Sequence, residues 1–127
     1  IWTGTPPDEF LHLYDVLQRA QHEQVNACLS GTPAEEIDRI GREIITREGY
    51  GKYFIHRTGH GIGVEAHEEP YIVEGNKIPV TSGNVFSVEP GIYIPDKWGA
   101  RIEDIVAVTD HEPHSLNTVD HDLAVLS

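Results

Sequence analysis

The apolar residues of this chain change period once, near Tyr53, and that change limits the fold more than any other feature. Before it, Phe10, Leu13, Leu17 and Ala20 recur at three and four residues, with Asp15, Gln18, Arg19 and His22 on the opposite side. This is the stripe of an amphipathic helix. Thr5-Pro6-Pro7-Asp8 supplies a capping threonine, prolines for the first turn and an acid for the free amides, so the spacing predicts a helix over Pro7–Leu29 that Gly31 stops. Thr32-Pro33-Ala34-Glu35 repeats the signal, and Ile37, Ile40, Ile44 and Ile45 predict a second helix over Pro33–Glu48. After Tyr53 come Gly-punctuated runs of β-branched and aromatic residues: Tyr53–His56, Val64–His67, Val85–Ile94, Ala100–Thr109 and Asp122–Leu126. Pro95-Asp96-Lys97-Trp98-Gly99 reads as a tight link between antiparallel strands. Two helices followed by strands place the chain in the α+β class, with helices covering one face of a mostly antiparallel sheet.

With 127 residues there is room for one small domain and not for two independent cores. Nine Lys and Arg against 21 Asp and Glu give a net charge of -12, which leaves no basic footprint for nucleic acid or an anionic membrane. A lone Cys28 forbids an internal disulfide and favours a reducing, cytoplasmic setting. The sequence opens at Ile1 in mid-pattern without a signal peptide or spanning segment, and reads as part of a longer protein.

Two groups of residues carry chemistry. In Val85-Phe86-Ser87-Val88-Glu89-Pro90, alternation puts Phe86 and Val88 on one face and Ser87 and Glu89 on the other. In Ala100-Arg101-Ile102-Glu103-Asp104-Ile105, Arg101 and Glu103 share a face opposite Ile102 and Asp104, so a second acid enters an apolar strand. Burying a carboxylate costs on the order of several kcal/mol without compensation, and two neighbouring carboxylates stay ionised only with a cation between them. Two readings stand: a metal pair held by both acids, or Glu89 facing solvent with Glu103 paired to Arg101. The second group is His56-Arg57-Thr58-Gly59-His60-Gly61-Ile62-Gly63-Val64-Glu65-Ala66-His67-Glu68-Glu69-Pro70. Glycines flanking His60 permit close approach of a ligand, and imidazole either binds Zn, Mn, Fe or Co or shuttles protons near neutral pH. No cysteine accompanies these histidines as in a zinc finger, no His-Glu-x-x-His helix is present, and no Lys-Ser/Thr follows the glycines as in a phosphate loop.

These segments resemble the "pita-bread" metallopeptidases, the family of proline dipeptidase (prolidase), aminopeptidase P and methionine aminopeptidase. HRTGHGIGVEAHEEP is similar to the family's histidine motif, FSVEPGIYIP to its first glutamate motif and ARIED to its second. The resemblance implies that residues 1–127 form the C-terminal part of the catalytic domain. It further implies that His60, Glu89 and Glu103 are metal ligands, with Glu103 bridging two divalent ions. His56 and His67 would line the substrate pocket, one of them assisting proton transfer or holding the scissile peptide, and Arg101 would support the ligands. The implied reaction is metal-assisted hydrolysis. The short EPGIYIPDKWGARIED hairpin resembles the branch that cleaves Xaa-Pro bonds, as a dipeptidase or an aminopeptidase, rather than methionine aminopeptidase. A ligand set of one imidazole and carboxylates is hard, which favours Mn or Co, with Zn and Fe as alternatives. Two further aspartates of the family lie upstream of the segment matched by Ile1–Pro6. Asp8 and Asp15 do not stand in their places, so the fragment alone is expected to be inactive with its metal sites unfilled. The sheet edge left open invites pairing, and a homodimer of the parent is expected, with a peptide carrying Pro after the scissile bond as substrate. The competing reading is a non-catalytic binding module on the same fold.

Overall fold

A computed structural model describes residues 1–127. The first half is two helices, α1 (Asp8–Asn26) and α2 (Ala34–Arg47), preceded by a short strand β1 (Trp2–Thr3) and followed by a single 3-10 turn at Gly51–Tyr53. The second half is strands: β2 (Gly59–Gly61), β3 (Glu68–Ile72), β4 (Val85–Val88), β5 (Gly91–Ile94), β6 (Trp98–Arg101), β7 (Asp104–Ala107), β8 (His114–Ser115) and β9 (Val125–Leu126). A five-stranded antiparallel sheet runs in the order β3-β2-β4-β7-β8, beside a separate β5-β6 hairpin and a parallel β1-β9 pair. The α+β class and the mostly antiparallel sheet are as predicted.

Phe10, Leu13, Leu17 and Ala20 are buried, as the stripe required, and with Val16, Ile45, Phe54, Ile92 and Ile102 they pack α1 over the hairpin. A second core joins Ala34 and Ile37 of α2 to Ile72, Phe86, Val88 and Val106 of the large sheet. Cys28 lies in this core with no exposure, and burial pushes its thiol from an ordinary 9.0 up to about 12. Between those values the folded chain holds a proton that the unfolded chain has released, so stability falls as pH rises through this window. The same burial predicts that iodoacetamide at pH 8 leaves Cys28 unmodified until denaturant is added, as intact-mass spectrometry will report.

The helix starts differ from expectation. Neither Thr5 nor Thr32 caps a helix: Pro7 and Pro33 occupy the cap positions, without side-chain capping bonds. At α2 the reason is tertiary, because the amides of Ala34 and Glu35 donate to the carbonyls of Ile78 and Asn76 at 3.1 and 2.8 Å. The α1 helix closes at Asn26 rather than Leu29, where the Ala27 and Cys28 amides turn back on Gln24 and Val25 before Gly31 takes a positive φ of 95°. Tyr53–His56 and Val64–His67 are not strands. Arg42 occupies the Phe54 and His56 carbonyls, and the Glu65 amide donates to the Glu68 carboxylate, which holds residues 63–67 in a turn before β3. Asp122–Leu126 contracts to β9.

Both long predicted strands are broken, and the breaks make the site. Pro90 has no amide to donate, so the Val85–Ile94 run leaves the large sheet after Val88 and re-forms as β5. The partner run breaks opposite it, at Ile102-Glu103, with Val88 against Asp104 on one side and Gly91 against Arg101 on the other. Glu89 and Glu103 therefore stand at facing interruptions where the chain passes from sheet to hairpin.

Candidate active site

Glu89 follows β4 on the same face as Ser87 and is 9% exposed. Its charge is compensated from two sides: Ser87 Oγ donates to Oε1 at 2.9 Å, and Arg101 donates from its guanidinium to Oε2 at 2.9 Å. Arg101 is braced in turn by the Tyr93 hydroxyl at 2.8 Å, the first cause of its raised pKa, with desolvation opposing and Glu89 and Glu103 adding smaller favourable charge.

His60 reaches Glu89 because its neighbours have no side chains. A Cβ on Gly59 would lie 1.7 Å from the Ser87 carbonyl oxygen, and one on Gly61 would lie 2.2 Å from that of Glu69. The backbone of β2 thus lies tight between β3 and β4, and the His60 ring projects with Nε2 3.3 Å from Glu89 Oε1. His67 packs its ring edge-on against His60, centroids 4.5 Å apart. His56 lies between Phe54 and Tyr93, its Nδ1 donating to the Arg57 carbonyl at 2.7 Å and its Nε2 buried without a partner. These three histidines, Arg57, Tyr71, Glu89 and Arg101 line one cavity of about 640 Å³.

The structure therefore brings together His56, His60, His67, Glu89 and Arg101, and overturns the reading in which Glu89 faces solvent and Arg101 pairs with Glu103. Glu103 is exposed, outside the cavity lining, and free of side-chain hydrogen bonds and ion pairs. No three His, Cys, Asp or Glu side chains form an ion-holding group in this structure. The buried acid of that strand is Asp104, which accepts from Gln21 at 3.0 Å and faces His121 Nε2 at 3.1 Å.

Sequence reasoning missed the support under the histidine segment. Asp38 of α2, 1% exposed, accepts the Thr58 amide and hydroxyl at 3.1 and 2.8 Å and is clamped by Arg42. Gln24 of α1 donates to the Thr58 hydroxyl at 2.7 Å, and the Thr58 carbonyl accepts the Glu89 amide at 2.8 Å. One buried threonine thus ties both helices to the strands that carry His60 and Glu89.

The profile of metallopeptidase family M24 matches residues 1–110. This chain belongs to that family. Among M24 relatives, the probable dipeptidase PepE of Mycobacterium tuberculosis is 48% identical over 123 residues, 97% of this chain and 33% of that protein. An Xaa-Pro dipeptidase of Lactobacillus helveticus is 47% identical over the same coverage. The prolidase of Thermococcus sibiricus superposes with a TM-score of 0.95 at 47% identity, covering 98% of this chain and 34% of that one. The chain spans about a third of the length of these relatives, which share its fold.

M24 membership implies divalent metal, and the residues present fit part of such a centre. The Gly61 carbonyl 3.0 Å from His60 Nδ1 can only accept, so Nδ1 carries a proton, and in the neutral ring Nε2 holds the lone pair. Nε2 lies 3.3 Å from a carboxylate oxygen, and with the ring neutral the two are acceptors that a bound cation would bridge.

Proposed function

We propose that this chain supplies one wall of a dinuclear-metal hydrolase that cleaves peptide bonds preceding proline. The observation that carries the reading is the His60–Glu89 pair, an imidazole nitrogen and a carboxylate oxygen turned toward each other at 3.3 Å in an M24 fold, with Nδ1 and Oε2 already committed to Gly61 and to Arg101. His60 and Glu89 would hold metal, joined by Glu103, whose exposed carboxylate is free to meet groups from outside these residues. When bound, such a pair lowers the pKa of a water and polarises the scissile carbonyl. The hard donor set favours Mn or Co.

The rest of the work falls to the chain's own side chains. Arg101 and Ser87 fix the Glu89 carboxylate. His56 Nε2, with Nδ1 already donating, is an acceptor for a substrate N–H, and His67 is placed beside His60 to hold the scissile peptide or carry its proton. Dipeptidase is favoured over aminopeptidase because the relatives quoted are named dipeptidases or prolidases, although an X-Pro aminopeptidase of Thermotoga maritima shares the fold at 36% identity.

The test is to express the longest open reading frame that carries this chain and assay paired peptides that differ only in Pro or Ala after the scissile bond, with and without chelator. Turnover of the Pro peptide alone, abolished by chelator and restored by Mn or Co, is expected. Glu103→Ala should abolish it and lower bound metal. Glu36→Ala, which only removes an ion pair to Arg39 on the surface of α2, should do neither. Equal rates on both peptides would remove the substrate assignment, and chelator-insensitive turnover the metal mechanism.

A further inference from the structure

One buried acid beside the site has no part in the chemistry above. Glu103 has no side-chain partner, so its direction is set by the backbone between its two neighbours. Ile102 and Asp104 both turn inward and are buried. Ile102 sits in the core under the β5-β6 hairpin with Ile92. Asp104 is a carboxylate in the same row, where an aliphatic side chain would avoid the cost of desolvating a charge. Both of its oxygens are met from far along the chain: Gln21 of α1 donates to Oδ2 at 3.0 Å, and Oδ1 accepts from His121 Nε2 at 3.1 Å. The next residue is held by the same C-terminal segment, since the Ile105 amide donates to Asn117 Oδ1 at 2.6 Å and its carbonyl accepts the Leu116 amide at 2.8 Å. That segment is itself fastened at His121, whose carbonyl accepts Tyr14 Oη and Gln18 Nε2 of α1, both at 2.9 Å. Hydrogen bonds to a charge are directional, so they fix the start of β7 more closely than apolar packing would. Asp104 stands opposite Val88, and the same fixed point therefore sets Glu103 against Glu89.

We propose that Asp104, clamped between Gln21 and His121, is a positioning residue that holds Glu103 where it can bridge metal, and that the segment from Leu116 to His121 belongs to the framework of the metal centre. The inference rests on the peptidase reading above and deepens it. Partners that orient a metal ligand change metal affinity or activity by about 10- to 100-fold when removed. The clamp acts on Glu103 through one peptide unit, which places its effect at the lower end of that range.

The test strips metal from the protein of the longest open reading frame that carries this chain, titrates Mn²⁺ back by calorimetry and records the visible spectrum of the Co²⁺ form. It compares wild type, His121→Leu, His121→Gln, Gln21→Met and Glu103→Ala. His121→Leu should weaken Mn²⁺ binding by about 10-fold and shift the Co²⁺ absorption, with kcat on Ala-Pro lowered at limiting metal and KM for the peptide unchanged. His121→Gln, whose amide can still donate to Asp104, should restore most of the affinity. Gln21→Met removes the other donor and leaves the C-terminal segment untouched. It should reproduce the loss, and it keeps the test decisive if His121→Leu does not fold. Wild-type Mn²⁺ affinity and Co²⁺ spectrum in either clamp variant, whatever its melting temperature, would reduce the clamp to packing and overturn the proposal. Glu103→Ala separates that failure from failure of the peptidase reading. If it binds Mn²⁺ as wild type does, Glu103 is no ligand and both fall; if it loses Mn²⁺ while the clamp variants keep it, only the positioning proposal falls.

Discussion

A Glu89→Gln variant is expected to lose its bound divalent metal and about 10³-fold of its turnover on an Xaa-Pro dipeptide, while unfolding near the wild-type temperature. The substitution keeps the shape of the side chain. With the amide oxygen toward Arg101, the new NH₂ group faces Ser87 Oγ, which can accept, so the two local hydrogen bonds at 2.9 Å can be re-formed, and the same group can donate to a neutral His60 Nε2. What cannot be restored is the negative charge. A Lewis-acid contribution of several kcal/mol at about 1.4 kcal/mol per decade gives a loss of about this size. Metal content by inductively coupled plasma mass spectrometry and kcat on the same preparation check it together. Retained metal with lost activity would make Glu89 a proton carrier instead of a ligand. Retained activity would remove it from the site.

The two helical stripes were legible because a packed helix face depends on local spacing alone, and Phe10, Leu13, Leu17, Ala20, Ile37 and Ile45 are all buried. Period-two alternation was equally informative in β4, where it put Ser87 beside Glu89. In the partner run the alternation held, but the buried acid proved to be on the other face. Asp104 shares the inward side with Ile102 because Gln21 of α1 and His121 of the C-terminal segment satisfy it, and neither partner is near it in sequence. The helix caps failed for a similar reason, since the α2 amides are met by the loop at 76–78. Asp38 and Arg42 could be seen as an i,i+4 pair, but local spacing does not distinguish a surface pair from one driven under a distant loop. That Thr58 would be their target follows only from the packing of α2 against the segment before β2.

That buried pair sets the second large effect. Asp38→Ala is expected to destabilise the chain by about 3–5 kcal/mol, the usual result of removing one partner from a buried ion pair. For a domain of this size the loss corresponds to a melting temperature lower by roughly 10–20 °C. Asp38 exposes 1% of its side chain and accepts four bonds: two from Arg42, at 2.8 and 2.9 Å, and the Thr58 amide and hydroxyl at 3.1 and 2.8 Å. Its removal leaves Arg42, 30% exposed, with a charge answered only by the carbonyls of Phe54 and His56 and by the Phe54 ring 4.0 Å away. The double variant Asp38→Leu/Arg42→Met should recover part of the stability, because it removes both charges of the pair and leaves none unpaired. It should not recover the site. Without Asp38 the Thr58 side chain keeps only Gln24, and Thr58 is the residue whose carbonyl holds the Glu89 amide two positions before His60. Calorimetric scans separate the two effects: restored melting temperature with metal affinity still reduced places Asp38 in the positioning of His60 and Glu89, whereas recovery of both would limit it to packing α2.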